Sequence, residues 1–214
     1  IWFGALGFVM ANLFGQNVKD YLPFLVSGLL SWILISSCIV EGTQVLLSAS
    51  GLITSFRIPI FTHYIRFIMR NLIIFLHNAI ILLIVLVVFP PEINANTWLI
   101  IPGLLLNLLI VTGAAVFLSL ANLRYRDTHL AVGSAMQVLP FVTPVYWQKA
   151  QLQNHPWIAD INPFYHMIEV MRGPMLGHAP SMLSWEVVIG LAVVTTLYAA
   201  YLFVRYRHRI IFWL

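Results

Sequence analysis

Long apolar runs separated by short polar stretches dominate the chain. An opening apolar run ends at Phe14, and the polar turn GQNVKD (15–20) follows it. Residues 23–50 then form an apolar stretch of about 42 Å at 1.5 Å per residue. As one helix it must tilt in, or protrude from, a hydrocarbon core about 30 Å thick. Residues 72–89, 97–121, 130–147 and 185–204 are further runs long enough to read as spanning helices. Between them lie a basic segment (51–70), the proline-broken turn PPEINAN (90–96), a short charged loop (122–127) and a mixed segment (148–184). Spanning segments must satisfy their own backbone hydrogen bonds, so the pattern predicts an all-α polytopic membrane protein. The opening run is shorter than the roughly 20 residues a crossing needs. It reads either as the remainder of a first span whose preceding portion is missing or as an interfacial segment.

Composition sharpens this reading. The chain has 214 residues, 61% hydrophobic and 8% charged, against about 25% charged in soluble domains. Mean hydropathy is +0.91, leaving too little polar surface to cover a water-soluble globule. The pI near 9.5 reflects 11 basic against 7 acidic residues, and their placement removes any need for a nucleic-acid surface. Arg57, Arg66 and Arg70, then Arg124 and Arg126, then Arg205, Arg207 and Arg209 fall in alternate loops with Asp127 as their one acid. Lys19, Lys149 and Arg172 share the other side with Asp20, Glu92, Asp160, Glu169 and Glu186. This is the positive-inside asymmetry, so the arginine loops and the C-terminus are expected to be cytoplasmic.

Several motifs occur in a fixed order: PFLVSGLLSW (23–32), EGTQVLLSASGLITSFRIP (41–59), NLRYRDTHL (122–130), PFVTPVYW (140–147), INPFYHMIEVMRGPMLG (161–177) and the terminal RYRHRIIFWL. Together they resemble the permease subunit of ABC type-2 exporters of bacterial surface polysaccharide, most of all the O-antigen branch. The resemblance covers essentially the whole chain and rests on the order of the motifs. It implies six spans, the first truncated here, with residues 1–214 forming a single transmembrane domain. It also implies a second copy of the chain, an ABC ATPase partner carrying ATP and Mg, a lipid-linked polysaccharide substrate and an inner-membrane location. No GxxxxGK[ST] phosphate loop occurs in the sequence, as expected of a permease. A drug or small-lipid exporter of the same architecture, or an intramembrane lipid- or prenyl-processing enzyme, are the alternative readings.

The resemblance assigns ATPase contacts to two loops. Phe56, Arg57 and Pro59 would belong to a short helix seated in a cleft of the ATPase, and Arg124, Arg126 and Asp127 would form the second contact. The competing readings are a snorkelling helix held by lipid phosphates and a weak Arg126–Asp127 surface pair. Glu41 is the one acid placed within a span, where an ionisable group needs a partner or a water-lined cavity. Depth counting sets it level with His77 and Asn78 on the next helix. The expectation is a brace from Glu41 to one of them, or else exposure to the translocation path.

Pro140 and Pro144 predict a bent fifth span. Asn162–Pro163 has the chemistry of an N-cap followed by proline at the first helical position, and the helix should stop at Gly173–Pro174. With about 11 residues it is too short to span, so it reads as a re-entrant or outer-surface helix near an outer gate. Trp98, Trp147, Trp157 and Trp185 fit an interfacial belt, while Tyr146, Trp147, Phe164 and Tyr165 are candidates for a glycan path. Catalysis has no HExxH or GxSxG motif behind it. His155, His166 and His178 lack metal-ligand spacing, and Cys38 reads as a small core residue.

Overall fold

The computed structural model describes residues 2–55, 58–91, 94–151, 155, 157–207 and 209–213. Among these, regular structure is helical throughout: α1 (Trp2–Leu13), α2 (Val18–Gly42), α3 (Val45–Ser48), α4 (Ser50–Ser55), α5 (Phe61–Val88), α6 (Ile100–Arg124), α7 (Thr128–Val142), α8 (Trp157–Ile161), α9 (Pro163–Met175), α10 (Met182–Tyr206) and α11 (Ile210–Trp213). A 3₁₀ turn at Ala95–Leu99 leads into α6. Four helical segments among the described residues are long and apolar enough to cross a membrane: Val18–Gly42, Phe61–Val88, Ala95–Arg124 and Met182–Tyr206. The shorter α1 precedes the first of these and the shorter α7 follows the third. The chain is therefore an all-α, multi-pass membrane protein.

Three boundaries differ from those the apolar runs suggest. The 23–50 run is not one helix. α2 stops at Gly42, where the Thr43 hydroxyl and amide both donate to the Val40 carbonyl, and the short helices α3 and α4 carry the chain onward. Conversely, α5 begins at Phe61 rather than near residue 72, so Arg66 and Arg70 lie in its first three turns. A 28-residue helix is about 42 Å long, and its excess over a ~30 Å core leaves room for arginine at headgroup level. The fifth apolar run is helical only to Val142. Pro140 lies within its last turn, and Pro144, which has no N–H to donate, lies beyond the end.

The chain divides into two compact units. The first comprises Ile1–Ile33, Phe75–Leu105 and Leu139–Val188. Its core gathers Tyr21, Leu25, Leu29 and Leu30 of α2, Val145 of the segment after α7, and Ile168, Val170 and Met171 of α9. The second comprises Leu34–Ile74, Leu106–Val138 and Ile189–Leu214. There Ile35 and Cys38 of α2, Leu46 of α3, Tyr64 and Phe67 of α5, and Val111 and Ala115 of α6 are buried, and the buried Tyr64 hydroxyl shares a 2.7 Å hydrogen bond with Ser119. Close helix approach in this unit depends on Gly113 of α6: a Cβ there would lie 2.8 Å from the backbone carbonyl of Thr195 on α10. Small residues permit such contact where lipid supplies no hydrophobic drive between helices. α2 is largely buried and α5 largely exposed along its apolar length.

Candidate functional site

In the first unit, the break after α7 is held by α9. Asn162 caps α9, its side-chain oxygen accepting from the Phe164 amide at 3.0 Å, and Pro163 occupies the first turn. The Asn162 amide also donates to the Thr143 hydroxyl at 2.9 Å, tying the start of α9 to the end of α7. At its other end α9 runs slightly past the expected stop, to Met175, and closes on Gly177 at φ 81°. The His178 amide returns to the Gly173 carbonyl at 2.8 Å and the Gly177 amide to Pro174, a Schellman closure that favours glycine at the left-handed position. Nearly every side chain from Tyr165 to Met175 is buried. The helix is thus packed within protein rather than lying against lipid along its apolar face.

Arg172 is the centre of this arrangement and was not singled out by the sequence. It is only 4% exposed. Its guanidinium donates to the Pro144 carbonyl at 2.8 Å and to Glu169 at 3.0 Å, and lies 4.2 Å from the centroid of the Phe24 ring. The carbonyl freed by the helix break therefore finds a charged donor, as buried backbone groups require. Gly28 of α2 makes room, since a Cβ there would sit 3.3 Å from both the Arg172 guanidinium and the Val145 carbonyl. The Glu-x-x-Arg spacing on a short helix was the only local signal; Phe24 and Pro144 are distant in sequence.

Around this clamp, the Tyr21 hydroxyl donates to the Tyr146 carbonyl and the Trp147 indole to the Phe141 carbonyl at 3.0 Å. His166 donates from Nε2 to the Asp160 carbonyl at 2.8 Å, which leaves its Nδ1 to accept from the Ser184 hydroxyl at 2.9 Å. Lys149 pairs with Asp160.

The four glycan-path candidates do not share one open surface. Tyr146 and Trp147 line an apolar cavity of about 320 Å³ with Leu6, Met10, Leu13 and Phe14 of the α1 region. Phe164 packs edge-on against Trp32, with ring centroids 5.7 Å apart. Tyr165, 8% exposed, has no open face on which a sugar could stack. Trp98 and Trp157 are well exposed, as belt residues would be.

The second unit collects the chain's other polar cluster. Glu41 accepts from Arg70 and, at 3.0 Å, from the Asn71 side chain. The expected brace to His77 or Asn78 is therefore replaced by a contact nearly two turns earlier on α5. The depth count failed because it began from the ends of apolar runs: Glu41 lies one residue from the end of α2, not nine. The Thr43 hydroxyl is 2.8 Å from His129 Nδ1, and the His129 amide donates to Asn122 at 3.2 Å. Of these, Glu41, Arg70 and His129 border a cavity of about 210 Å³.

Of the ATPase-contact candidates, Phe56 and Arg57 lie outside the described residues. Pro59 is exposed, and Ile58 and Phe61 beside it also present apolar surface. Arg124, Arg126 and Asp127 are exposed in the tight turn between α6 and α7. No ion pair joins Arg126 to Asp127 among the described residues. The turn closes instead through Thr128, whose hydroxyl donates to the Tyr125 carbonyl at 2.7 Å.

The family model described as ABC-2 type transporter fits residues 2–176. No curated protein matches the chain significantly.

Proposed function

The chain belongs to the ABC-2 type transporter family, and we propose that within it this protein is the membrane subunit of an ATP-driven exporter of lipid-linked polysaccharide, of the O-antigen or capsule type. The observation that carries the transport reading is the family match across residues 2–176. The family's membrane components work with an ABC ATPase. The narrower substrate assignment is supported by the common order of the motifs from PFLVSGLLSW to the arginine-rich end. A buried short helix before the last long one also suits an outer gate.

In this reading two copies enclose the pathway in a bacterial inner membrane, with the C-terminus cytoplasmic. The exposed turn Arg124–Asp127 and the segment around Pro59 face the ATPase, with Phe56 and Arg57 belonging to the same contact as Pro59. Arginine suits such a seat because its fork pairs with carboxylates, and the neighbouring apolar side chains supply anchors. ATP and Mg stay in the partner chain.

The deciding experiment reconstitutes the permease with its ATPase in vesicles. Lipid-linked polysaccharide should stimulate ATP hydrolysis and reach the opposite leaflet. Replacing Arg124 and Arg126 by Ala should remove the stimulation while the isolated ATPase stays active. Stimulation by amphiphilic drugs, with none from the lipid-linked glycan, would overturn the substrate and favour the drug-exporter alternative.

A further inference from the structure

We propose that the cavity of the second unit is a headgroup site for an anionic glycerophospholipid of the surrounding bilayer. The cargo plays no part in this inference, and the site would operate whatever the exporter carries.

The cavity, about 210 Å³, is lined by Glu41, Gln44, His63, Arg66, Arg70 and His129 among others. Water occupies about 30 Å³ per molecule in the liquid, so the space has room for a phosphodiester. Its charges are unevenly answered. Glu41 is committed to Arg70 and Asn71. Arg66 makes no hydrogen bond or ion pair among the described residues. His63 is 7% exposed, and its Nε2 is buried with no partner among the described residues. With one carboxylate and two guanidiniums, the lining has a net charge of +1 before any histidine protonates. A phosphate oxygen would accept from Arg66 and, once a small shift of neighbouring side chains uncovers the nitrogen, from the Nε2–H tautomer of His63. That would satisfy a buried ring nitrogen that otherwise costs free energy.

Lipid is favoured over a free anion by what adjoins the cavity. On α5, Ile65, Met69 and Ile73 recur every four residues and are 50%, 50% and 63% exposed. Ile65 and Met69 each directly precede an arginine of the cavity and so point about 100° round the helix from it, making the stripe the face beside the cavity rather than part of its lining. A phosphate seated at Arg66 would place its attached acyl chains along this stripe, about 12 Å from Ile65 to Ile73. Inorganic phosphate, or a carboxylate from the ATPase, would leave the stripe unused. A basic residue at the surface of an anionic membrane attracts lipid by about 1 kcal/mol, or about fivefold in affinity.

The test uses the full permease–ATPase complex in detergent, stripped of native lipid and titrated with phosphatidylglycerol, bound lipid being counted by native mass spectrometry. Arg66→Gln should weaken binding about fivefold. His63→Phe, which keeps the ring and removes the nitrogen, should weaken it as well. Arg66→Lys should retain most of it, and Arg209→Gln should leave it unchanged. Unaltered melting of each variant excludes misfolding. Equal binding by Arg66→Gln and wild type would overturn the proposal. So would equal affinity for phosphatidylcholine, or displacement of phosphatidylglycerol by equimolar inorganic phosphate. If Arg66→Gln releases the ATPase without changing lipid binding, the cavity seats a carboxylate of the partner and the lipid assignment fails.

Discussion

Replacing Arg172 by Met tests whether the helix break after α7 depends on one buried cation. Methionine keeps most of the apolar stem of the side chain but removes the guanidinium, and with it the donors and the charge. Two acceptors are then abandoned: the Pro144 carbonyl, now 2.8 Å from the guanidinium, and the Glu169 carboxylate at 3.0 Å. A hydrogen bond involving a charged group contributes about 1.5–3 kcal/mol, and breaking a buried ion pair costs about 3–5 kcal/mol because it strands the other charge. Arg172 and Glu169 side chains are 5% and 24% exposed, so water relieves part of the stranded carboxylate and the lower half of that range applies. Loss of the contact with the Phe24 face, 4.2 Å from the guanidinium carbon, adds about 1–2 kcal/mol when desolvated. The expected cost is about 3–5 kcal/mol, with these contributions overlapping rather than adding. The assay is thermal unfolding of the purified complex, followed by reactivity of a cysteine placed at Val145. Arg172→Met should melt several degrees lower and expose that cysteine. Adding Glu169→Gln should recover part of the loss, because the stranded charge is removed. Arg172→Lys should be intermediate, since an ammonium cannot reproduce the fork. If Arg172→Met costs no more than an exposed substitution such as Arg126→Gln, or if Glu169→Gln recovers nothing, the clamp does not hold the break.

The remaining predictions concern the second unit. In a double-mutant cycle, Glu41→Gln and Arg70→Gln should couple by no more than about 1 kcal/mol, because both side chains are substantially exposed, 39% and 59%. The same cycle with His77→Ala should be additive, and measurable coupling there would restore the brace expected from the sequence. Gly113→Val drives a Cβ to 2.8 Å from the Thr195 carbonyl and should cost at least about 1–3 kcal/mol by overpacking, seen as a lower melting temperature. Gly51→Ala, where a Cβ meets nothing within 4 Å, is the neutral comparison.

What was legible in the sequence follows from which interactions are local. Asn162–Pro163 announced α9 because an N-cap and a proline at the first turn act within a few residues. The spans were legible because lipid demands apolar length. Their ends were not. The residues after Gly42 remain apolar through α3 and α4, so hydropathy passes over a break made by hydrogen bonds from Thr43 to Val40. At α5 the error ran the other way. Arg66 and Arg70 looked like loop residues, yet arginine is tolerated in the outer turns of a helix whose length exceeds the hydrocarbon core. Arg172 was invisible because its partners, Phe24 and Pro144, come from other helices and from a loop.

Positive-inside reasoning sorts arginines by side and treats each as a label, whereas three of them here have distinct physical situations. Arg172 is buried, with both faces of its fork answered, and so contributes to a fixed local geometry. Arg70 is exposed and paired, which makes it energetically minor and leaves Glu41 without free demand. Arg66 is exposed and unanswered among the described residues, and it lies beside a buried histidine nitrogen that is also unanswered. Only the third arrangement calls for a ligand from outside the chain. In a protein with so few charges, the useful question about a cation is therefore what already accepts from it. By that criterion Arg66, and not the more conspicuous Glu41–Arg70 pair, is the place to look for a bound phosphate.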